Sequence, residues 1–148
     1  MNLKKTLAAC AAVTALALTS LAALADDHPY TLGPVVNVAY IRTEYGKTEE
    51  YLKYVATTWK AEQEAGKKAG FILSYRVIQV EARGENDPDI LLVTNFKNWA
   101  AMDTLQANQE GILKTIEGSL NASSQSAVDR SKIRRVVGSW TGQELDFK

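Results

Sequence analysis

The chain has 148 residues, with 17 basic and 17 acidic side chains, one histidine and one cysteine. Balanced charge with no basic stripe argues against nucleic acid as a partner. A lone cysteine cannot close an internal disulfide, and the length suits one folded domain.

Residues 1–25 have the layout of a cleavable secretory signal. Met1-Asn2-Leu3-Lys4-Lys5 is a short basic start. An apolar run from Leu7 to Leu24 follows, interrupted only by Thr14, Thr19 and Ser20. Ala23-Leu24-Ala25 sets small residues before Asp26-Asp27, as signal cleavage requires. Two other readings exist. One is a transmembrane anchor, which the cleavage pattern opposes. The other is a lipoprotein signal at Leu7-Ala8-Ala9-Cys10, which lies too close to the lysines to leave an apolar region. Lysine flanks and the small-residue end point to a bacterial exporter. The expected location is periplasmic or secreted, with no membrane attachment after cleavage. Processing after Ala25 removes Lys4, Lys5 and Cys10, leaving a slight acidic excess and no cysteine. Stability in an oxidising compartment then rests on the core or on a partner subunit.

Residues 26–34 read as a polar, proline-bearing lead-in, and 35–148 as a single domain. The β-branched run Val35 to Thr43 predicts the first strand. Tyr45-Gly46-Lys47 breaks it. Thr48 suits a helix N-cap, with Glu49 and Glu50 in the first turn. Leu52, Val55 and Trp59 form one inward stripe, and the helix is expected to end near Lys68, before Gly70. Phe71 to Arg83 predicts a second strand, Gly84 to Pro88 a turn, and Asp89 to Phe96 a third strand paired to the second. Asn98 suits the cap of a second helix with the stripe Met102, Leu105, Ile112 or Leu113, and Ile116. Gly118 to Ser131 has no clear apolar period and reads as loop with a helical turn. Ile133 to Trp140 predicts a fourth strand, which the tail to Lys148 can extend.

The order β-α-β-β-α-β is the split βαβ, or ferredoxin-like, arrangement of an α+β domain. Its antiparallel sheet carries both helices on one face. A sheet with one wet face alternates apolar and polar residues, and these strands do not. Phe71, Leu73, Tyr75 and Val77 are expected on one face of the second strand, with Ile72, Ile78 and Val80 on the other. Ile90 and Leu92 oppose Leu91 and Val93. Helices cover one face, so a second copy of the chain, packed sheet to sheet, is the economical cover for the other. In element order and two-sided strands, residues from about 35 to 145 resemble the dimeric α/β-barrel superfamily. That group includes the antibiotic-biosynthesis monooxygenase, EthD and stress-responsive barrel families. The resemblance implies a homodimer and rests on pattern, without a sequence signature. The 118–131 insertion is longer than the links expected there.

No residue cluster forms a catalytic signature. Gly66 and Gly70 lack the GxGxxG phosphate-binding pattern, and no cysteine pair or His-Glu spacing makes a zinc site. His28 lies before the expected fold, so no Ser-His-Asp or Cys-His set can be assembled in the core. No cofactor is expected within the domain. Cleavage after Ala25 would start the mature chain Asp26-Asp27-His28. A free amine, two backbone amides and the imidazole then offer four planar nitrogens, which suit Cu(II) or Ni(II). A lead-in without a metal role is the alternative.

The ligand-pocket candidates are Asn37, Tyr40, Arg42, Tyr75, Arg76, Asn95 and Trp140 on strands, with Trp59 and Trp99 at helices. Space between sheet and helices in such a domain can be an aromatic-lined pocket with a few polar groups. Trp59 also fits as plain core, Trp140 as an interface residue, and the tyrosines as sheet filling. Arg42 and Arg76 need an anionic partner or a route to water; Glu44 and Glu81 are candidates, as is a bound carboxylate. Glu62, Glu64 and Glu110 read as solvated helix faces. Asn121-Ala122-Ser123 fits a glycosylation sequon, incidental in a bacterial protein. Three functions remain: an exported dimer that binds a small apolar or aromatic molecule, a cofactor-independent monooxygenase-like enzyme acting on aromatic substrates, and a structural or interaction module of the cell envelope.

Overall fold

The computed structural model describes residues 28–148; the expected signal segment, with Asp26 and Asp27, lies outside the described residues. The elements run β1 (Tyr30–Thr43), α1 (Thr48–Tyr54), a π-helical turn (Val55–Trp59), α2 (Lys60–Ala69), β2 (Ile72–Gln79), β3 (Ile90–Phe96), α3 (Ala100–Asp103), α4 (Leu105–Glu117), α5 (Leu120–Arg130) and β4 (Arg134–Phe147). The fold is α+β, with a four-stranded sheet in the order β2-β3-β1-β4. Every pairing in it is antiparallel.

Strand β1 begins within the stretch expected to be a lead-in. Tyr30 pairs with Phe147 and Leu32 with Leu145 before the register slips between Leu32 and Val35. Pro34 sits in that slip. A proline has no N–H to give a ladder, so an irregularity is where a strand tolerates one. The long β1–β4 ribbon leaves Leu32 and Phe147 exposed at its far end.

The two-sided strand pattern becomes two apolar layers. Toward the helices, Ile41, Ile90 and Leu92 pack on Tyr51, Val55 and Trp59. Beside them, Val35 and Phe96 pack on Phe71 and Ile72, with Met102, Leu105 and Ile112 against that cluster. Fully burying a side chain such as Val35 or Ile90 contributes about 1.5–3 kcal/mol. On the opposite face, Val36, Val38 and Val93 form a third cluster that no helix residue joins. These valines are only 7%, 5% and 4% exposed. They form the floor of a groove whose walls are taller side chains of the same sheet.

Two further expectations are corrected. Ile72 was expected opposite Phe71 and Tyr75, but it packs with Phe71 on the helix side. The cause is a bulge: Ile72 pairs with Phe96 and Ser74 with Asn95, so Leu73 drops out of register. One extra residue reverses the alternation. The 118–131 stretch, expected to be mostly loop, is largely helix α5. Gly118 turns the chain at φ 84°, and the Ser119 side chain caps α5 by accepting from Ala122 N. α5 has no clear apolar period because Ser123 is its one buried residue.

The first helix runs from Thr48 to Ala69, and Gly70 ends it at φ 84°. Asp89 fastens its entry: the carboxylate accepts from Thr43 N and Thr43 Oγ1, and Thr43 Oγ1 bonds Thr48 Oγ1 at 2.8 Å. Gly66 lets α2 lie almost on β2. A Cβ there would stand 2.5 Å from Ile72 Cδ1.

Candidate functional site

Sheet, α2 and α4 line an open-sided cavity of about 320 Å³. Its aromatic and aliphatic wall includes Trp59, Phe71, Phe96, Met102 and Leu105. Its polar groups are Asn37, Glu62, Gln63, Thr94 and Gln109. Local structure turns Asn37, Glu62, Gln63 and Thr94 inward. The π-helical turn inserts an extra residue and ends at Trp59; such turns recur at functional sites. Glu62 and Gln63 follow Trp59 by one turn and share its face. Asn37 and Thr94 are cross-strand partners, and Thr94 alternates with Leu92 and Phe96 on the helix side.

The polar groups are partly committed to one another. Thr94 Oγ1 donates to Gln63 Oε1 at 3.0 Å in a buried position. That bond uses the carbonyl end of Gln63 and leaves its amide nitrogen for another partner. Asn37 Nδ2 donates to Thr141 Oγ1 at 2.8 Å and to the Trp140 carbonyl at 3.3 Å, which leaves its carbonyl oxygen as an acceptor. Trp59 is braced by Tyr75, edge to face at 5.4 Å.

Glu62 is the group that the sequence reading misplaced. It was expected on a solvated face. It is half-buried, and burial pushes its carboxyl from 4.5 up to about 7, with Glu117 adding to the rise and Arg130 opposing it. Behind it lies a charged cluster. The Arg130 guanidinium sits over the Tyr54 ring at 4.4 Å. Arg130 Nε and Nη1 and Glu117 Oε1 are buried without hydrogen-bond partners. Burial also raises Tyr54, with Glu62 adding to it, and raises Tyr51 against the pull of Arg134 and Arg130. A carboxyl poised near neutrality in a cavity can give or take a proton.

The candidates from the sequence divide between the two faces of the sheet. Asn37 and Trp59 line the cavity. Tyr40, Arg76 and Trp140 line a groove of about 360 Å³ on the opposite face, where Trp140 Nε1 donates to Tyr40 Oη at 2.9 Å. Arg42 lines a third depression near the β2–β3 turn and donates to the Asp87 carbonyl at 3.4 Å. Glu44, a candidate partner for it, lies 3.5 Å from Arg135 instead. Tyr75 braces Trp59 without lining the cavity; its hydroxyl donates to Glu64 Oε1 at 2.6 Å, which lowers the Glu64 pKa. Asn95 Nδ2 donates to Ser74 Oγ, on the groove side of the sheet. Trp99 is 48% exposed, and its Nε1 donates to Gln143 Oε1. His28 stacks on Tyr30 at 5.2 Å; Asp26 and Asp27, the rest of the expected metal motif, lie outside the described residues. Among the described residues, no three His, Cys, Asp or Glu side chains gather as a metal site.

Glu62, Gln63, Thr94 and Gln109 were missed. A signal existed for the first two: continuing the stripe past Trp59 at i+3 and i+4 puts them on the inward face. Thr94 likewise falls on the Leu92 face by simple alternation.

No protein-family model and no curated protein matches the chain. Two solved structures resemble it. HapK from Hahella chejuensis aligns with a TM-score of 0.50 at 13% identity, covering 74% of this chain and 91% of that one. The protein SO0527 from Shewanella oneidensis aligns with a TM-score of 0.50 at 14% identity, covering 79% of this chain and 98% of that one. At such identity the likeness shows the α+β fold alone.

Proposed function

We propose that the protein binds a small, partly aromatic molecule in the cavity between the sheet and α2 and α4. The observation that carries this is the lining itself. Aromatic and aliphatic walls surround a few convergent polar groups, the usual composition of a ligand site. The bonds to Thr94 and Thr141 use only one end of the Gln63 and Asn37 amides, so the other end of each can fix a ligand's orientation. A thermal-shift screen of metabolites tests the reading. A stabilising aromatic ligand supports it, and a Trp59→Ala variant loses that response. A silent screen together with a cavity filled by its own side chains would end it.

Glu62 favours a second reading, a cofactor-independent monooxygenase-like enzyme. Forming a substrate anion in a dry cavity needs a base of suitable pKa, and the raised carboxyl meets that need. Oxygen uptake with polyphenol substrates separates catalysis from binding alone. Uptake that Glu62→Gln leaves unchanged would remove Glu62 from this role.

The element order and the strand order β2-β3-β1-β4 support a ferredoxin-like domain of the dimeric α/β-barrel kind. The sheet-to-sheet homodimer is supported by the apolar groove, with Ile78 and Trp140 exposed at its rim. Export to the periplasm or medium rests on the sequence pattern of residues 1–25, and N-terminal sequencing of the processed protein checks it. The same experiment decides whether Asp26-Asp27-His28 can offer its nitrogens to Cu(II) or Ni(II).

A further inference from the structure

We propose that the cavity selects an organic cation, a primary arylalkylamine of one ring and a short chain, and that Glu62 is the group that recognises its ammonium. The inference rests on the ligand-binding reading above and names the ligand class for that site. Three features of the cavity carry it. First, the lining is one-signed. Glu62 is the single charged side chain among the described residues that line the cavity; the others are aromatic, aliphatic, amide or hydroxyl. A carboxylate or phosphate ligand would find no cation to pair with there, and burying an unpaired charge is costly. Second, aromatic side chains, Trp59, Phe71 and Phe96, stand in the same wall. Aromatic faces attract ammonium groups and stack against a ligand ring. Third, the volume is small. A cavity of about 320 Å³ equals roughly ten water volumes, which fits one ring with a short side chain.

The groups that face Glu62 set the charge balance. Glu117 from α4 and Arg130 from α5 act on it from behind, and the Tyr54 hydroxyl lies near it from α1. Glu62 feels the Glu117 carboxylate and a single guanidinium, Arg130, which is already stacked on Tyr54. An incoming ammonium supplies the missing positive charge. It binds ionised Glu62, so Glu62 releases a proton when the ligand binds below neutrality. Affinity for an amine should climb as pH rises toward 7 and level off above it.

Phenethylamine, 2-phenylethanol and 3-phenylpropionate provide near-isosteric cationic, neutral and anionic probes, titrated into the purified protein by calorimetry. The amine is expected to bind at least tenfold more tightly than the alcohol at a pH above 7, with the carboxylate weakest. Below neutrality, amine binding should release protons, seen as heats that differ between buffers of different ionisation enthalpy. Glu62→Gln should bring amine and alcohol to equal affinity. Equal binding of amine and alcohol to the unmodified protein would overturn the inference and spare the ligand-site reading. Tighter binding of the carboxylate would do the same. Failure of all three probes at millimolar concentration would overturn the inference, and the ligand-site reading then stands or falls by the metabolite screen. The probe series on the unmodified protein stands even if the variant fails to fold.

Discussion

Glu62→Gln should make the protein more stable above neutral pH and leave it unchanged in acid. In the folded chain the carboxyl is raised from 4.5 to about 7, chiefly by burial and then by Glu117. Between those values the folded state holds a proton that the unfolded state has shed. Stability from this group is therefore complete below about 4.5, falls as pH climbs toward 7, and is flat beyond. At about 1.36 kcal/mol per pKa unit, the unscreened cost of ionised Glu62 is roughly 3 kcal/mol. Glu62 is half-buried, so solvent screening reduces that to roughly 1–2 kcal/mol. Glutamine keeps the shape and hydrogen-bonding capacity of the neutral acid without ever ionising. Urea unfolding should thus give the variant an advantage of about 1–2 kcal/mol near pH 8, or about 4–8 °C in Tm for a domain of this size, shrinking as pH falls and vanishing only below about 4.5. An advantage that does not change with pH, or a loss at alkaline pH, would refute the assignment of a buried, proton-holding carboxyl.

Three further changes probe the structure around the cavity and the opposite face. Gly66→Ala gains up to about 1 kcal/mol of helix propensity. Its Cβ meets Ile72 Cδ1 at 2.5 Å and Phe71 Cε2 at 3.1 Å, and such overpacking costs about 1–3 kcal/mol; a net loss in urea unfolding is expected, and a gain would show that α2 does not sit so close. Thr94→Val keeps the volume but strips Gln63 Oε1 of its buried donor, at a cost of about 1–3 kcal/mol, read by thermal unfolding. Ile78→Glu puts a charge on the rim of the open-face groove, where the residue is 39% exposed. Sedimentation should show a dimer for the parent chain and a folded single subunit for the variant; a monomeric parent would remove the sheet-to-sheet association.

Much of the architecture was legible in the sequence because apolar side chains mark the elements directly. The β-branched runs at Val35 and Ile90 gave two strands, Gly84 to Pro88 gave the turn between β2 and β3, and the Leu52, Val55 and Trp59 stripe gave the first helix. The two-sided strands also emerged, with Ile90 and Leu92 opposing Leu91 and Val93. Local irregularities were hidden because they shift phase without changing composition. The bulge at Leu73 moves Ile72 to the helix side, and the π-helical turn adds a residue inside an otherwise regular helix. α5 escaped because it buries little and so leaves no period to read. Only part of the candidate site was legible. Aromatic residues such as Trp59 announce themselves, whereas a glutamate looks the same in sequence whether solvated or enclosed. What decides is the covering by α4 and the nearness of Glu117 and Arg130, contacts made across the fold.

Crystals of the protein soaked with phenethylamine would show whether the volume between the sheet and the α2 and α4 helices is a ligand site. The ring is expected against Trp59 and Phe96, with its ammonium at Glu62. A cavity closed by Met102 and Leu105, with the probe found on the surface or nowhere, would contradict it.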